Sequence, residues 1–580
     1  MKKQLKKDKK IDLSDIFNNS SMHLFTMLCG YFLLILVLFS FFQIIRAVNL
    51  TFINIISILI PISLYLIICK EKTWKTKTIV ITLFAILILA VPFLFSKTYD
   101  LTEDGNSYHK TSIAFIKNGW NPLFEDAKEF QKTNNNIIKI DDSHWIDVWM
   151  DHYPKATWII AAVIYEYTGN IECGKCVTFI LNIMLLIILY NCLRLVLDKK
   201  WLSIIMILIT LNPILLVQWH TYYVDGLMGI LFATEVLLLM TIKPEEKSNI
   251  VPWICLASIA AIMVNIKFTG LLCSGVVAAV YYFYWLIKNR KIKNFIQIFK
   301  KMTIAFSIIY IMSIFLVGAN SYVRNTIDHH NPLYPLLGKD KIDIITTMQP
   351  KSFQYKSKIE KFFISYFSKT QNALYDDEPT IKFPLLVYRS ELATKTSPDT
   401  RINGFGPLFT VAMLVSVVML GIGVYKLFKN DKKKASLFLL PLASILFSMI
   451  LVGESWWARY VPQYYLVPLI TIILLIYEKD NFKKAKTPIL ASCFIAGIML
   501  LNSLIYVYGN FQTFSEFNII TKDIKKMKKM DELVLKATRD ELYGYYYTLN
   551  DHGVKYTIDN SLTEENTKFM YDWRFMVKND

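Results

Sequence analysis

Cysteine is sparse in this chain: eight in 580 residues, scattered and mostly inside apolar runs. The one close pair is Cys173 and Cys176 in ECGKC. With no second CxxC it is a weak signal for zinc. At a helix start it reads as two ordinary cysteines or a local disulfide. No internal repeat and no low-complexity linker stands out. Behind the basic start MKKQLKKDKK no small-residue cleavage site is evident, so the expectation is a retained first span with a cytoplasmic start. Ionisable residues are rare in the middle of the apolar runs, where a translocation path would need them. Glu235 is the exception, and a single buried acid of this kind can pair with a neighbouring helix.

Apolar surface is abundant. Hydrophobic residues make up 54% of the chain and the mean hydropathy is +0.37, too apolar for an ordinary soluble enzyme. Many runs reach the ~20 residues that cross a bilayer as a helix, and in lipid a helix satisfies its own backbone. The expected fold class is an all-α polytopic membrane protein. The net charge of +18 would suggest nucleic acid in a soluble protein. Here the lysines cluster in short loops between apolar runs and read as topology, so no nucleic-acid partner is expected.

Thirteen spans are expected near 23–45, 52–70, 78–96, 174–196, 200–218, 224–242, 250–266, 268–288, 300–320, 404–428, 435–453, 462–477 and 486–508. With the N-terminus inside, the basic loops KEKTWKTK, DKK, KNRKIKN, KNDKKK and EKDNFKKAK all fall inside; KPEEK is mixed in sign. The parity requires that residues 156–170, ATWIIAAVIYEYTGN, do not span; too short for the ~30 Å core, they are expected to lie on the outer surface as an amphipathic helix. Residues 97–173, 321–403 and 509–580 are then outside. A channel rarely needs so much outer material, whereas an enzyme with an outward-facing site does. The domains expected are a tail with two extra spans over 1–76, a catalytic membrane module over 77–508, and an extracytoplasmic region over 509–580. Within the last, TKDIKKMKKMDELVLKATRDEL has helical spacing, while YGYYYTLN and VKYTI look strand-like, so a small α/β cap is expected.

Polar groups gather on the outer face. EDGNSYH places Glu103 and Asp104 a few residues beyond the third span. Asp225 opens the sixth span, where a helix cap would also place an acid. Lys267 and Arg324 sit at the outer edge, against the positive-inside bias; snorkelling is the plain reading of such a lysine. Arg459 lies in WWARYVPQYY, where an interfacial aromatic belt accounts for Trp456 and Trp457. Lys155 precedes the surface helix. Asp141, Asp142, Asp147 and Asp151 form a further cluster, read mainly as solvated surface. A carboxylate suits a general base that activates a hydroxyl. Cations suit a phosphate whose charge grows as it leaves. Together they imply a phosphate-bearing lipid reacting with an alcohol outside the cytoplasm.

These motifs resemble those of the GT-C superfamily of membrane glycosyltransferases, in the branch that contains protein O-mannosyltransferases and the aminoarabinose transferase of lipid A. The resemblance rests on EDGNSYH at 103–109, HYPKATW, Asp225 opening a helix, IKFTG at 266–270, RN…NPLYP at 324–335 and ARYVPQYYLVP at 458–468. It spans about 80 to 480 and leaves the first 75 residues and the tail unmatched. It implies a GT-C fold and a donor sugar on polyprenyl phosphate, transferred with inversion to a glycan, glycolipid or protein hydroxyl of the cell envelope. Asp104 would be the base, with Glu103 the runner-up, and Asp225 would orient the donor or assist. Lys267, Arg324, Lys155 and Arg459 are the phosphate candidates, Lys267 foremost. His109, Tyr108 and Tyr153 complete the implied site. No cofactor is expected; a divalent metal bridging Glu103, Asp104 and Asp225 is the less favoured form. The abundance of Ile, Lys and Asn suggests an AT-rich bacterial genome, with undecaprenyl phosphate then as carrier. The rivals are a transporter or lipid-linked sugar flippase, and a non-catalytic wall-binding scaffold.

Overall fold

The computed structural model describes residues 14–140, 146–245, 249–292, 294–430, 432–539 and 541–578. The basic start, Asp141, Asp142 and parts of the KPEEK, KNRKIKN and KNDKKK loops lie outside the described residues. Among those described, eight helices are long and apolar enough to cross a membrane: Ser20–Ile44, Leu50–Ile68, Trp74–Leu94, Ile171–Leu193, Phe268–Asn289, Phe295–Val317, Phe409–Asn430 and Lys486–Met527. Val251–Val264, Ser436–Val452 and Pro462–Tyr477 are shorter apolar helices. Lys199–Thr210 and Asp225–Thr241 fill the two remaining places of the expected pattern. The protein is a multi-pass helical membrane protein.

Side-chain distribution separates inner from outer helices. Asp225–Thr241 is buried at every position but Met240, as expected of a helix that is apolar all round and stands at the centre of a bundle. Phe295–Val317 leaves Ile296, Ile304, Ile308, Ile311 and Phe315 exposed, the surface that lipid covers. Ser20–Ile44, within the unmatched N-terminal region, is an integral part of the bundle. It packs on Leu50–Ile68 and Val251–Val264, and Ser258 donates to the Cys29 carbonyl at 2.8 Å.

Five expectations are corrected. Residues 200–218 are not one span. Pro213 cannot donate to the preceding turn, Asn212 caps Ile214 N at 3.0 Å, and the chain breaks into Lys199–Thr210 and Pro213–Gln218. Ala156–Thr168 is not a surface helix; Ala156 through Tyr165 are all buried against Lys110–Lys117 and the first two spans. Its sequence is apolar on every face, and such a helix belongs inside. The last helix does not stop at 508 but runs to Met527, so the expected domain boundary falls mid-helix. YGYYYTLN is a helix, Gly544–Asp551; aromatic side chains favour strands only where a half-buried pleated face awaits them. Trp456 and Trp457 are not a lipid-facing belt. They are buried beneath the 321–403 region, Trp456 with its ring 5.0 Å from that of Phe353.

The tail forms a four-stranded sheet from Val534–Ala537, Thr557–Ile558, Thr567–Met570 and Phe575–Lys578. The first strand pairs parallel with the second and antiparallel with the fourth, and the third and fourth make an antiparallel pair. Leu535, Phe575 and Val577 pack with Tyr545 and Leu549 of Gly544–Asp551 and with Phe517, Ile520 and Ile524 of the long helix. The tail is thereby continuous with the last span. A buried ionic network fastens it to the acidic loop. Glu172 accepts from Lys110 at 2.5 Å, from Lys175 at 2.6 Å and from Thr548 at 2.8 Å. Asp551 accepts from Tyr165 at 2.6 Å and from Ile171 N at 2.7 Å.

Candidate active site

The acidic loop is shaped by Asp100, which the sequence reading passed over. Its carboxylate is buried and accepts from Thr102 N at 2.9 Å, Thr102 Oγ1 at 2.6 Å and Tyr222 N at 2.7 Å. That turn packs so tightly on residue 105 that a Cβ there would lie 2.1 Å from Asp100 Oδ2. Gly105 is therefore required by contact. The chain then enters a wide π-type turn, Gly105–His109, before Lys110–Lys117. Such turns recur at functional sites because they re-aim side chains. Asp104 stands at the head of this one, half-buried.

Asp225 begins Asp225–Thr241 and is buried. Its Oδ1 lies 2.6 Å from Lys267 Nζ; its Oδ2 accepts from Gln218 at 3.0 Å and lies 3.2 Å from Arg459 Nε. Gln218 also accepts from Gly226 N at 2.8 Å, tying the helix start to the residue that orients the acid. Lys267 comes from the sharp joint between Val251–Val264 and Phe268–Asn289. That joint depends on Gly270, where a Cβ would meet the Met263 carbonyl oxygen at 1.9 Å.

Arg459 is the hub. Besides Asp225 it holds Asp399 Oδ1 at 2.9 Å and stands 3.6 Å from Asp104 Oδ2, with its guanidinium 5.0 Å from the Tyr223 ring centre. Arg401 lies 3.3 Å from the other oxygen of Asp399, and Lys267 sits 4.4 Å over the Tyr460 ring. Asp104, Asp225, Lys267 and Arg459, more than 350 residues apart at the extremes, thus form one cluster. Burial raises the Asp104 carboxyl above its ordinary range, and Arg459 opposes that rise.

The other candidates lie around or away from this cluster. Glu103 is exposed and makes a bidentate pair with Arg539 of the tail at 2.8 and 2.9 Å, which holds its carboxyl below the usual range. His109 Nδ1 accepts from the Trp158 indole at 2.6 Å; burial pushes its pKa down to about 3, so the ring is neutral. Tyr108 packs between the rings of Trp149, Tyr153 and Trp158, and Tyr153 packs on Phe268. Lys155 donates to the carbonyls of Asp151, Tyr153 and Asn320 at 2.9, 2.8 and 3.2 Å, a framework role. Arg324 donates to the carbonyls of Pro122 and Glu125 and pairs with Asp126 and Asp328. Neither joins the cluster. Asp151, read as solvated surface, is buried and accepts from Ala127 N at 2.8 Å. Glu235 accepts from Ser274 of the neighbouring helix at 2.9 Å. Cys173 and Cys176 are buried free thiols. Among the described residues no three His, Cys, Asp or Glu side chains are grouped to hold a metal ion.

Sequence reasoning missed Asp399, Arg401, Gln218 and Tyr223. Asp399 and Arg401 sit in TSPDTRING, a stretch indistinguishable by composition from the rest of a polar loop. Gln218, seven residues before Asp225, was the one reachable signal, as an amide beside a helix start.

No family model and no curated protein sequence matches the chain. Among solved structures it is similar to the crystal structure of ArnT from Cupriavidus metallidurans bound to undecaprenyl phosphate. The two share 11% identity over 86% of this chain and 97% of that one, with a TM-score of 0.42. So loose a likeness carries no argument about residues or substrate.

Proposed function

We propose that this chain is a GT-C-type glycosyltransferase that moves a sugar from a polyprenyl-phosphate carrier to an acceptor hydroxyl on the outer face of the membrane. The observation that carries this reading is the clustering of a half-buried carboxylate, Asp104, with two cations fixed by a second carboxylate, Asp225. The acceptor oxygen attacks the anomeric carbon while Asp104 takes its proton. The bond from that carbon to the phosphate oxygen breaks, and polyprenyl phosphate leaves with the electron pair. One displacement inverts the anomeric centre.

Charge counting refines the step. Arg459, Lys267 and Arg401 face Asp104, Asp225 and Asp399, so the cluster is balanced before substrate arrives. A phosphodiester can enter only if a cation exchanges one carboxylate for it. The longest of Arg459's three contacts, 3.6 Å to Asp104, is the one to give. Donor binding thereby strips Asp104 of its counter-cation and makes it a stronger base. Lys267 and Arg459 then face the leaving phosphate, where charge grows in the transition state. A divalent ion bridging the carboxylates would compete with the same guanidinium, which favours chemistry without metal.

The test uses full-length protein in nanodiscs with a panel of undecaprenyl-phosphate-linked sugars and a bacterial cell-envelope extract as the source of acceptor hydroxyls, following release of undecaprenyl phosphate. Consumption of one donor by the parent and its loss in Asp104→Asn supports the reading. No consumption of any donor, or full consumption by Asp104→Asn, sinks it. Mass spectrometry of surface glycans in a deletion strain identifies the product.

A further inference from the structure

A cavity of about 510 Å³ lies between residues 395–401, the outer part of the last helix and the tail domain. That is within the ~300–1,000 Å³ usual for small-molecule sites. It shares walls with the cluster. Glu103 adjoins Asp104 in the chain, and Tyr223 and Asp399 both touch Arg459. The tail contributes Arg539 and Arg574, so the cavity exists only with the tail in place.

We infer that this cavity seats the acceptor, and that the acceptor is a neutral, hydroxyl-rich glycan and not a polyanion; the inference rests on the transfer reading above. Charge decides the class. Lys395, Arg401, Arg539 and Arg574 line the cavity, but so do Glu103, Asp399 and Glu516. Glu103 is paired with Arg539 and Asp399 with Arg401, which leaves little surplus for a phosphate polymer. Anion sites are built instead from donors in excess. A sugar hydroxyl both donates and accepts, so neighbouring hydroxyls match guanidinium and carboxylate set side by side. Arg574 lines the cavity from the tail side, a guanidinium whose N–H groups can donate to a sugar hydroxyl. Tyr223 and Phe517 add aromatic side chains to the lining.

Saturation-transfer NMR on the full-length protein in nanodiscs tests this, with cellobiose, maltose and chitobiose as neutral probes and glycerol 3-phosphate and inorganic phosphate as anionic ones. At least one disaccharide is expected to receive saturation, and Arg574→Ala to weaken it about tenfold, the loss of one charge-assisted hydrogen bond. A thermal unfolding midpoint matching the parent's verifies folding. Arg539→Ala, whose exposed ion pair contributes little to stability, repeats the test should Arg574→Ala fail to fold. Binding of only the phosphate probes, binding of none, or undiminished disaccharide binding by the folded variants overturns the inference. Donor consumption without disaccharide binding removes the acceptor assignment alone. Disaccharide binding without consumption of any donor removes the transfer reading and leaves a glycan site.

Discussion

Lys267 Nζ lies 2.6 Å from Asp225 Oδ1, both side chains buried, each at the start of its own helix and 42 residues apart. Removing one partner of a buried pair costs about 3–5 kcal/mol, because the other charge is left uncompensated. Lys267→Ala is expected to destabilise by somewhat less than this, since Arg459 and Gln218 remain on Asp225, and to raise the donor KM. Thermal unfolding and donor titration read the two effects separately. An unchanged KM in a folded variant argues that Lys267 serves the fold alone.

Asp104→Asn keeps the shape and removes the proposed base. The loss in kcat is expected to be about 10²–10⁴-fold, the range for a positioned general base, with donor binding retained. Glu103→Gln should lose far less, because Glu103 is turned to the tail and paired with Arg539. Equal losses in the two variants would falsify the assignment.

Acid should silence the proposed transfer through Asp104. Its folded pKa is raised above the ordinary value of 3.8, so the active carboxylate form is lost, as pH falls, sooner than for a free aspartate. Arg459 opposes the rise. Arg459→Gln is therefore expected to move the acid limb of kcat/KM to higher pH. A limb that stays put or moves lower contradicts the proposed coupling.

Gly105→Ala places a methyl where Asp100 and Thr102 already stand. Asp100 is committed to Tyr222 N and to Thr102, so relief must come from the turn itself. Turnover is expected to fall at least tenfold, with a smaller drop in unfolding temperature than a loosened core would give. Full turnover in Gly105→Ala shows that the loop adapts.

Excess chelator is expected to leave donor consumption intact, since Asp225 is already held by Lys267, Arg459 and Gln218. Loss of activity restored by one divalent ion reverses this reading.

The helical membrane class and the places of most apolar segments were legible in the sequence, and its ten candidate site residues included Asp104, Asp225, Lys267 and Arg459. Apolar run length is a local property, set by the thickness of the bilayer, and charges stranded beside apolar runs stand out without coordinates. Other features depended on the tertiary structure. The EDGNSYH motif was legible, but Asp100, which bends it, looked like one more loop acid. Lys155 and Arg324 resembled Lys267 in sequence, yet three-dimensional packing gave them carbonyl partners elsewhere. Only the fold placed Asp399 on Arg459 and stretched the last helix into the tail. Long-range contacts between polar side chains leave no periodic trace in a chain; they are decided by which helix ends the packed bundle brings together.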